Sequence, residues 1–300
     1  MRPYPNKGGV SVFCIDDKDD CMASTAIPLR FSPNDISVPH LVTIPFSHYC
    51  EVARWALDNA GQEYVEIGYA LGCHAEPLGT LRAERNHRST SSYAGAETNA
   101  HRGRLKYATP LLCLPDGEID RDSWEVLSRY QGHLTDAWRG LFDNTVGPAV
   151  RRIAYNEVLH PECSHLFDCL FVGSTERELA FINDGENKKR IRAGVKHLLN
   201  VNEETAAHDK MTLEQFFRDC DAFLDGLDSI KSHQTAFPQW WIALSGLCGI
   251  FLGCPEYGGN AFASMPLSAY RMTYQVWVGK MNETTTCKSI RDYYAAHRER

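Results

Sequence analysis

The sequence lacks an uncharged apolar run long enough to cross a bilayer. Its longest, residues 240–254, falls short of the roughly 20 residues a spanning helix needs and is interrupted by Gly246 and Gly249, so it reads as a buried core helix. A secretory signal is missing too: no apolar block follows Arg2 and Lys7, and Asp16, Asp17, Asp19 and Asp20 stand where such a block would be. There is no sustained basic stripe. With 31 basic against 38 acidic side chains the net charge is −7, which argues against nucleic acid as the main partner. Neither a Gly-rich phosphate loop, nor a metalloprotease motif, nor an internal repeat is present. The 11 cysteines are odd in number and form no small-scaffold framework, as expected of free thiols in a reducing compartment. The expected protein is soluble and cytoplasmic, with no membrane partner.

What is present is ordinary globular composition. A chain 43% hydrophobic and 23% charged is not disordered, and its 300 residues suggest two domains at about 150 residues each. Residues 1–37 mix Pro, Gly, Asp and Ser without a period and are expected to form a flexible or loosely docked extension. Residues 40–44 are a short β-branched run. After Pro45 come Ser47, His48, Tyr49 and Cys50, then Val52, Ala53, Trp55, Ala56 and Ala60 at helical spacing, and Gly61 ends that helix. Residues 64–67 alternate like a second strand, completing a β-α-β unit.

Residues 71–106 are polar and Arg-rich and are expected to be mostly loop, with a helical hint over 78–85. Residues 109–114 read as a third strand, and Asp116-Gly117 as the turn of a hairpin whose second arm is 118–119. Asp122 and Ser123 then precede Trp124, Val126, Leu127 and Tyr130, a capped amphipathic helix. From there strand signals stop. Helical patterns follow over 150–159, 188–200, 213–227, 240–252 and 290–298. A mixed first half and a helical second half segregate into separate units. The expected fold class is α/β plus all-α, with an α/β domain over 38–135 and an all-α helical bundle over 136–300.

Three signatures occur in order: Ser47-x-x-Cys50 at a helix start, Thr109-Pro110 before an apolar strand, and Asp122-Ser123 opening a helix after a hairpin. Together they resemble the glutathione transferase family over about residues 40–132, through the run Ser47-His48-Tyr49-Cys50-Glu51-Val52-Ala53-Arg54-Trp55-Ala56-Leu57. The resemblance implies a thioredoxin-like N-terminal domain, an all-helical C-terminal domain, glutathione as co-substrate with no metal, an apolar electrophilic small molecule as second substrate, a role in detoxification, and a homodimer.

The chemistry of each element is consistent with that family. Ser47 lies where unpaired N–H groups and the positive end of a helix dipole favour an anion, and a hydroxyl donating to a sulfur stabilises its thiolate. Ser47 is therefore the candidate catalytic residue, a plain helix cap being its structural alternative. Thr109-Pro110 resembles the family's cis-proline signature, in which the backbone before the proline pairs with the cysteinyl part of glutathione; a cis X-Pro bond costs only about 0.5–1 kcal/mol. An ordinary trans proline at a strand edge is the alternative there. Asp122-Ser123 resembles the acidic-Ser pair that grips the γ-glutamyl end: the carboxylate for its ammonium, the hydroxyl and helix amides for its carboxylate.

Other readings stay open. Cys50 sits where thioredoxin-like proteins carry the second cysteine of Cys-x-x-Cys, which admits a thiol transferase or reductase forming a mixed disulfide, although packing is its expected role. A non-catalytic binding protein of the same fold is the other alternative. Arg102, Arg104 and Lys106 are candidates by charge alone for the glycyl carboxylate, with a solvated loop their commoner state. Tyr155, Trp240 and Trp241 are candidates for the apolar site, with core packing the commoner role. Pro238 replaces the acidic residue of the family's helical-domain capping box, leaving Thr235 to cap, at a cost of about 1 kcal/mol. His160, Cys163, His165 and Cys169 match no paired zinc spacing and are expected to be a helix connection with buried thiols.

Overall fold

A computed structural model describes residues 27–85, 108–258 and 265–298. Strand β1 (His40–Thr43) leads through the turn at Pro45 into helix α1 (His48–Asn59), and β2 (Val65–Gly68) returns parallel to β1. Helix α2 (Ala75–Arg85) follows, then the hairpin of β3 (Leu111–Cys113) and β4 (Ile119–Asp120), then α3 (Ser123–Gln131). The sheet order is β2-β1-β3-β4, with β3 antiparallel to both β1 and β4. This is a thioredoxin-like sheet.

Alternation along the strands divides the core in two. Leu41 and Leu112 point into the cluster beneath α1 and α3, whereas Val42, Ile67, Leu111 and Cys113 point into the opposite one with Leu78 and Leu81 of α2. Both faces of this small sheet are therefore covered.

The remainder is helical. Helix α4 (Asp136–Leu141) runs through a π-helical turn at Phe142–Val146 into α5 (Gly147–Val158). Then come α6 (Ser164–Cys169), α7 (Glu176–Asn183), α8 (Asn187–Leu198), α9 (Glu203–Asp225), α10 (Ile230–Ala236), α11 (Pro238–Leu252), α12 (Met272–Met281) and α13 (Thr285–His297). The periodicity located α5, α8, α9, α11 and α13. It named no pattern over α4, α6, α7, α10 and α12, of which α4, α6, α7 and α10 are only six to eight residues long.

Helix α11 is apolar all round because it is buried all round, running between α1, α5 and α13. Gly246 lets α11 approach α1 closely: a Cβ there would lie 2.8 Å from Val52 Cγ2. Among the described residues no single helix is long and apolar enough to cross a membrane.

Three expectations need amending. Thr235 does not cap α11: it belongs to α10, where its hydroxyl donates to Lys231 O at 3.1 Å, and Phe237 takes the cap position without a side-chain bond. The two helices meet at 102°, bridged by Trp241 Nε1 donating to His233 Nδ1 at 3.1 Å. Residues 27–37 of the extension are docked, with Ile27 buried, its N–H on Glu76 Oε2 at 3.1 Å, and the Arg30 guanidinium 4.1 Å from the Tyr69 ring centre. Within the Arg-rich stretch a full helix, α2, forms over residues 75–85; the remainder of that stretch lies outside the described residues, as do Arg102, Arg104 and Lys106.

Candidate functional site

Strand pairing brings the three signatures together. Val42 pairs with Leu111 and Leu112 with Asp120, so β1 ends, β3 begins and β4 ends at the same side of the sheet, and residues 44–47, 109–110 and 122–123 lie just beyond these ends. The turn into α1, the Thr109–Pro110 bond and the start of α3 thus share one end of the sheet. The Thr109–Pro110 peptide is cis.

Ser47 is the N-cap of α1, its backbone extended and its Oγ accepting from Cys50 N at 3.5 Å. Every carbonyl in the turn before it has a donor. Ile44 O accepts from Ser47 N at 2.9 Å, Pro45 O from Arg54 Nη2 at 2.6 Å, and Phe46 O from the Tyr257 hydroxyl at 3.0 Å. Satisfied on all three, the turn has one conformation in which Ser47 is held. Arg54 is itself fixed by Glu66 (Nε to Oε1, 2.9 Å) and Glu51 (Nη1 to Oε2, 3.0 Å), and Glu51 also accepts from Arg298 Nε at 3.0 Å.

Cys50 is fully buried beneath this turn. Burial pushes its thiol up, with the nearby Arg54 guanidinium the main opposing influence. A thiol that is neither exposed nor ionised is a poor partner for disulfide exchange. Its place is in the packing.

At the start of α3, Asp122 is the N-cap, with Oδ1 accepting from both Trp124 N and Glu125 N at 2.8 Å. Two helix amides that the sequence offered to a ligand carboxylate are therefore taken. What the α3 start leaves is the second Asp122 oxygen, 3.7 Å from Arg139 Nη2, and the buried Ser123. Burial pushes the Asp122 carboxyl up to about 6, with its bond from the Glu125 amide opposing and the Glu125 charge adding to the rise.

Two contributors escaped the sequence reading. Arg82 of α2 donates from Nη2 to Ala108 O at 3.2 Å and to Arg121 O at 3.5 Å, bracing the backbone just before Thr109 and just before Asp122. Tyr257 reaches the site from beyond α11. Neither has a local signal, since only the tertiary fold brings them there. Trp240 and Trp241 are core residues, packed edge to face at 5.0 Å, whereas Tyr155 is half-buried with its ring 6.4 Å from Phe46.

The His and Cys residues of the 160–169 connection serve local structure. His160 Nδ1 accepts from Glu162 N at 3.2 Å, Cys163 lies 3.8 Å from Ala269 O, and Cys169 lies 3.6 Å from His165 O. Among the described residues no group of three or more His, Cys, Asp or Glu side chains is placed to hold a metal.

No family model and no curated protein sequence matches the chain. Among solved structures it is similar to a glutathione S-transferase of Ceriporiopsis subvermispora, CsGST63524, in complex with glutathione, at 15% identity and a TM-score of 0.48 over 87% of this chain and 96% of that one. It is also similar to the β-etherase LigF from Sphingobium sp. strain SYK-6, at 11% identity and a TM-score of 0.41 over 85% of this chain and 99% of that one. By its own strand order and element sequence the chain has a thioredoxin-like N-terminal part followed by an all-helical one.

Proposed function

We propose that this protein is a glutathione transferase, conjugating the glutathione thiolate to an apolar electrophilic small molecule. The observation that carries the reading is the register that gathers Ser47, Thr109, Pro110, Asp122 and Ser123 at one end of the sheet. Thr109 presents backbone to the cysteinyl part of glutathione, the second Asp122 oxygen, beside Arg139, takes the γ-glutamyl ammonium, and Ser123 takes the neighbouring carboxylate. The Ser47 oxygen accepts a backbone N–H through a lone pair, and its O–H donates to the glutathione sulfur. A donor at the sulfur favours the thiolate, as does the α1 dipole, so more nucleophile exists at neutral pH. The thiolate then attacks the electrophilic carbon, the C–S bond forms, and the leaving group departs with its bonding pair. The same resemblance implies a cytoplasmic homodimer acting in detoxification.

The test is glutathione binding by calorimetry on wild type and Ser47→Ala, with bound-thiol ionisation followed by ultraviolet absorbance against pH. Binding in both, with thiolate formation lost in the variant, is the expected result. Binding with no ionisation in the wild type supports a carrier role instead, and no binding overturns the reading.

A further inference from the structure

Residues on both sides of Ser47 touch a single ridge of α5. His48 Nε2 meets Gly147 O at 3.1 Å, and the Phe46 ring meets Tyr155 at 6.4 Å. Between Gly147 and Tyr155, one helical turn from each, stands Arg151. Its guanidinium lies 6.0 Å from the centre of the Tyr49 ring, and Tyr49 in turn meets Trp124 edge to face at 6.0 Å.

Arg151 differs from the cations around it. Arg152 is committed to Asp209 through two bonds of 2.6 Å, and Arg139 lies 3.7 Å from Asp122. Among the described residues Arg151 has no carboxylate within ion-pair distance, and its Nε is buried without a hydrogen-bond partner. Its positive charge is felt by His48 and Tyr49, which follow Ser47 in the chain, and by Tyr155 of α5. A buried guanidinium N–H left unpaired is costly, and a cation kept in that condition suits an anion supplied from outside. The half-buried Tyr49 ring, and Tyr155 one turn along α5, supply apolar surface beside it.

We propose that Arg151 is a specificity-determining residue that binds the anionic group of the electrophile, so that the second substrate is an aromatic or other planar electrophile carrying a carboxylate. This rests on the transferase reading of Ser47 given above. With 4-chloro-3-nitrobenzoate as probe, the glutathione thiolate adds to the ring carbon bearing chlorine, the C–S bond forms, and chloride leaves with the C–Cl electron pair. The carboxylate stays on Arg151 throughout.

The experiment compares 4-chloro-3-nitrobenzoate with 4-chloro-3-nitrobenzamide, which differs in lacking the charge. Turnover is measured with glutathione. Binding of the unreactive 3-nitrobenzoate and 3-nitrobenzamide is measured by quenching of tryptophan fluorescence, which needs neither glutathione nor catalysis. Wild type is expected to prefer the acid. In Arg151→Met that preference falls by roughly 10- to 100-fold, the worth of a charge-assisted hydrogen bond, and Arg151→Lys restores part of it. An unchanged acid-to-amide ratio in Arg151→Met overturns the proposal, as does a variant whose defect is a raised glutathione KM, which would place Arg151 on glutathione. Acid-selective quenching that is lost in Arg151→Met, without glutathione turnover, would sink the transferase reading and keep Arg151 only as the binder of an aromatic carboxylate.

Discussion

The Tyr257 hydroxyl donates to the Phe46 carbonyl at 3.0 Å, joining residues 211 positions apart at the turn that holds Ser47. Tyr257 is almost fully buried, so water does not replace the bond when it is lost. The Tyr257→Phe variant keeps the ring and its packing and leaves one buried carbonyl without a donor. A loss of about 1–3 kcal/mol in unfolding free energy is expected, measured by urea denaturation. If the turn positions Ser47, the bound-glutathione thiol pKa also rises in this variant, read by ultraviolet absorbance. A stability loss with an unmoved thiol pKa would assign Tyr257 to folding alone.

Asp122 makes a pH-dependent prediction in two readouts. Its folded pKa of about 6 lies above the ordinary carboxylate value, because burial disfavours the charge. The sign follows: its contribution to stability is full below the unfolded pKa and is lost as pH rises through about 6. Asn caps helices as well as Asp does, so Asp122→Asn keeps the bonds to the Trp124 and Glu125 amides and removes only the titration. Between pH 4 and 7 the variant's stability should therefore fall less steeply than that of the wild type. Glutathione binding should show the opposite trend in the wild type, weakening as pH falls through about 6, since the ammonium needs the ionised carboxylate. Parallel pH profiles for the two proteins in calorimetry would remove Asp122 from the ligand site.

The N-terminal half was legible because its information is local. The β-branched run at 40–44, the cap at Ser47, the Asp116-Gly117 turn and the Asp122 cap each act within a few residues, and β1, α1, β3, β4 and α3 appear within a residue or two of the expected ends. The convergence of Ser47, Thr109 and Asp122 follows from strand register, which the hairpin turn and the alternating strands specify. What could not be read was whatever depends on long-range pairing. Arg54, Arg82, Tyr257 and Arg298 look in the sequence like an ordinary helix face, loop edge or chain end, and their donors find carbonyls and carboxylates only once the helices have packed. The π-helical turn at Phe142–Val146 and the core placement of Trp240 likewise depend on tertiary packing. Residues 86–107, which include the charge-only candidates Arg102, Arg104 and Lys106, lie outside the described residues.

Glu51 and Arg298 supply the last prediction. Glu51 is fully buried one turn into α1, where Arg54 Nη1 and Arg298 Nε each approach a carboxylate oxygen at 3.0 Å, and Arg298 also pairs with Asp58. Burial alone would raise the Glu51 pKa. The two guanidiniums outweigh it and hold the carboxyl below its usual value, chiefly Arg298. A depressed pKa contributes stability that is present above the unfolded value and is lost as pH falls through the folded one, so this contribution is full at pH 7 and is lost in acid, below the usual carboxylate range. Arg298→Met removes the larger counter-charge and leaves a buried carboxylate with Arg54 alone. A cost of about 3–5 kcal/mol in urea unfolding at pH 7 is expected, shrinking in acid as Glu51 protonates. The double variant Glu51→Gln with Arg298→Met should recover much of it, because the uncompensated charge is gone. A double variant no more stable than Arg298→Met would mean that Arg298 acts through its packing over Trp55, from whose ring centre its guanidinium stands 6.0 Å, and not through the pair.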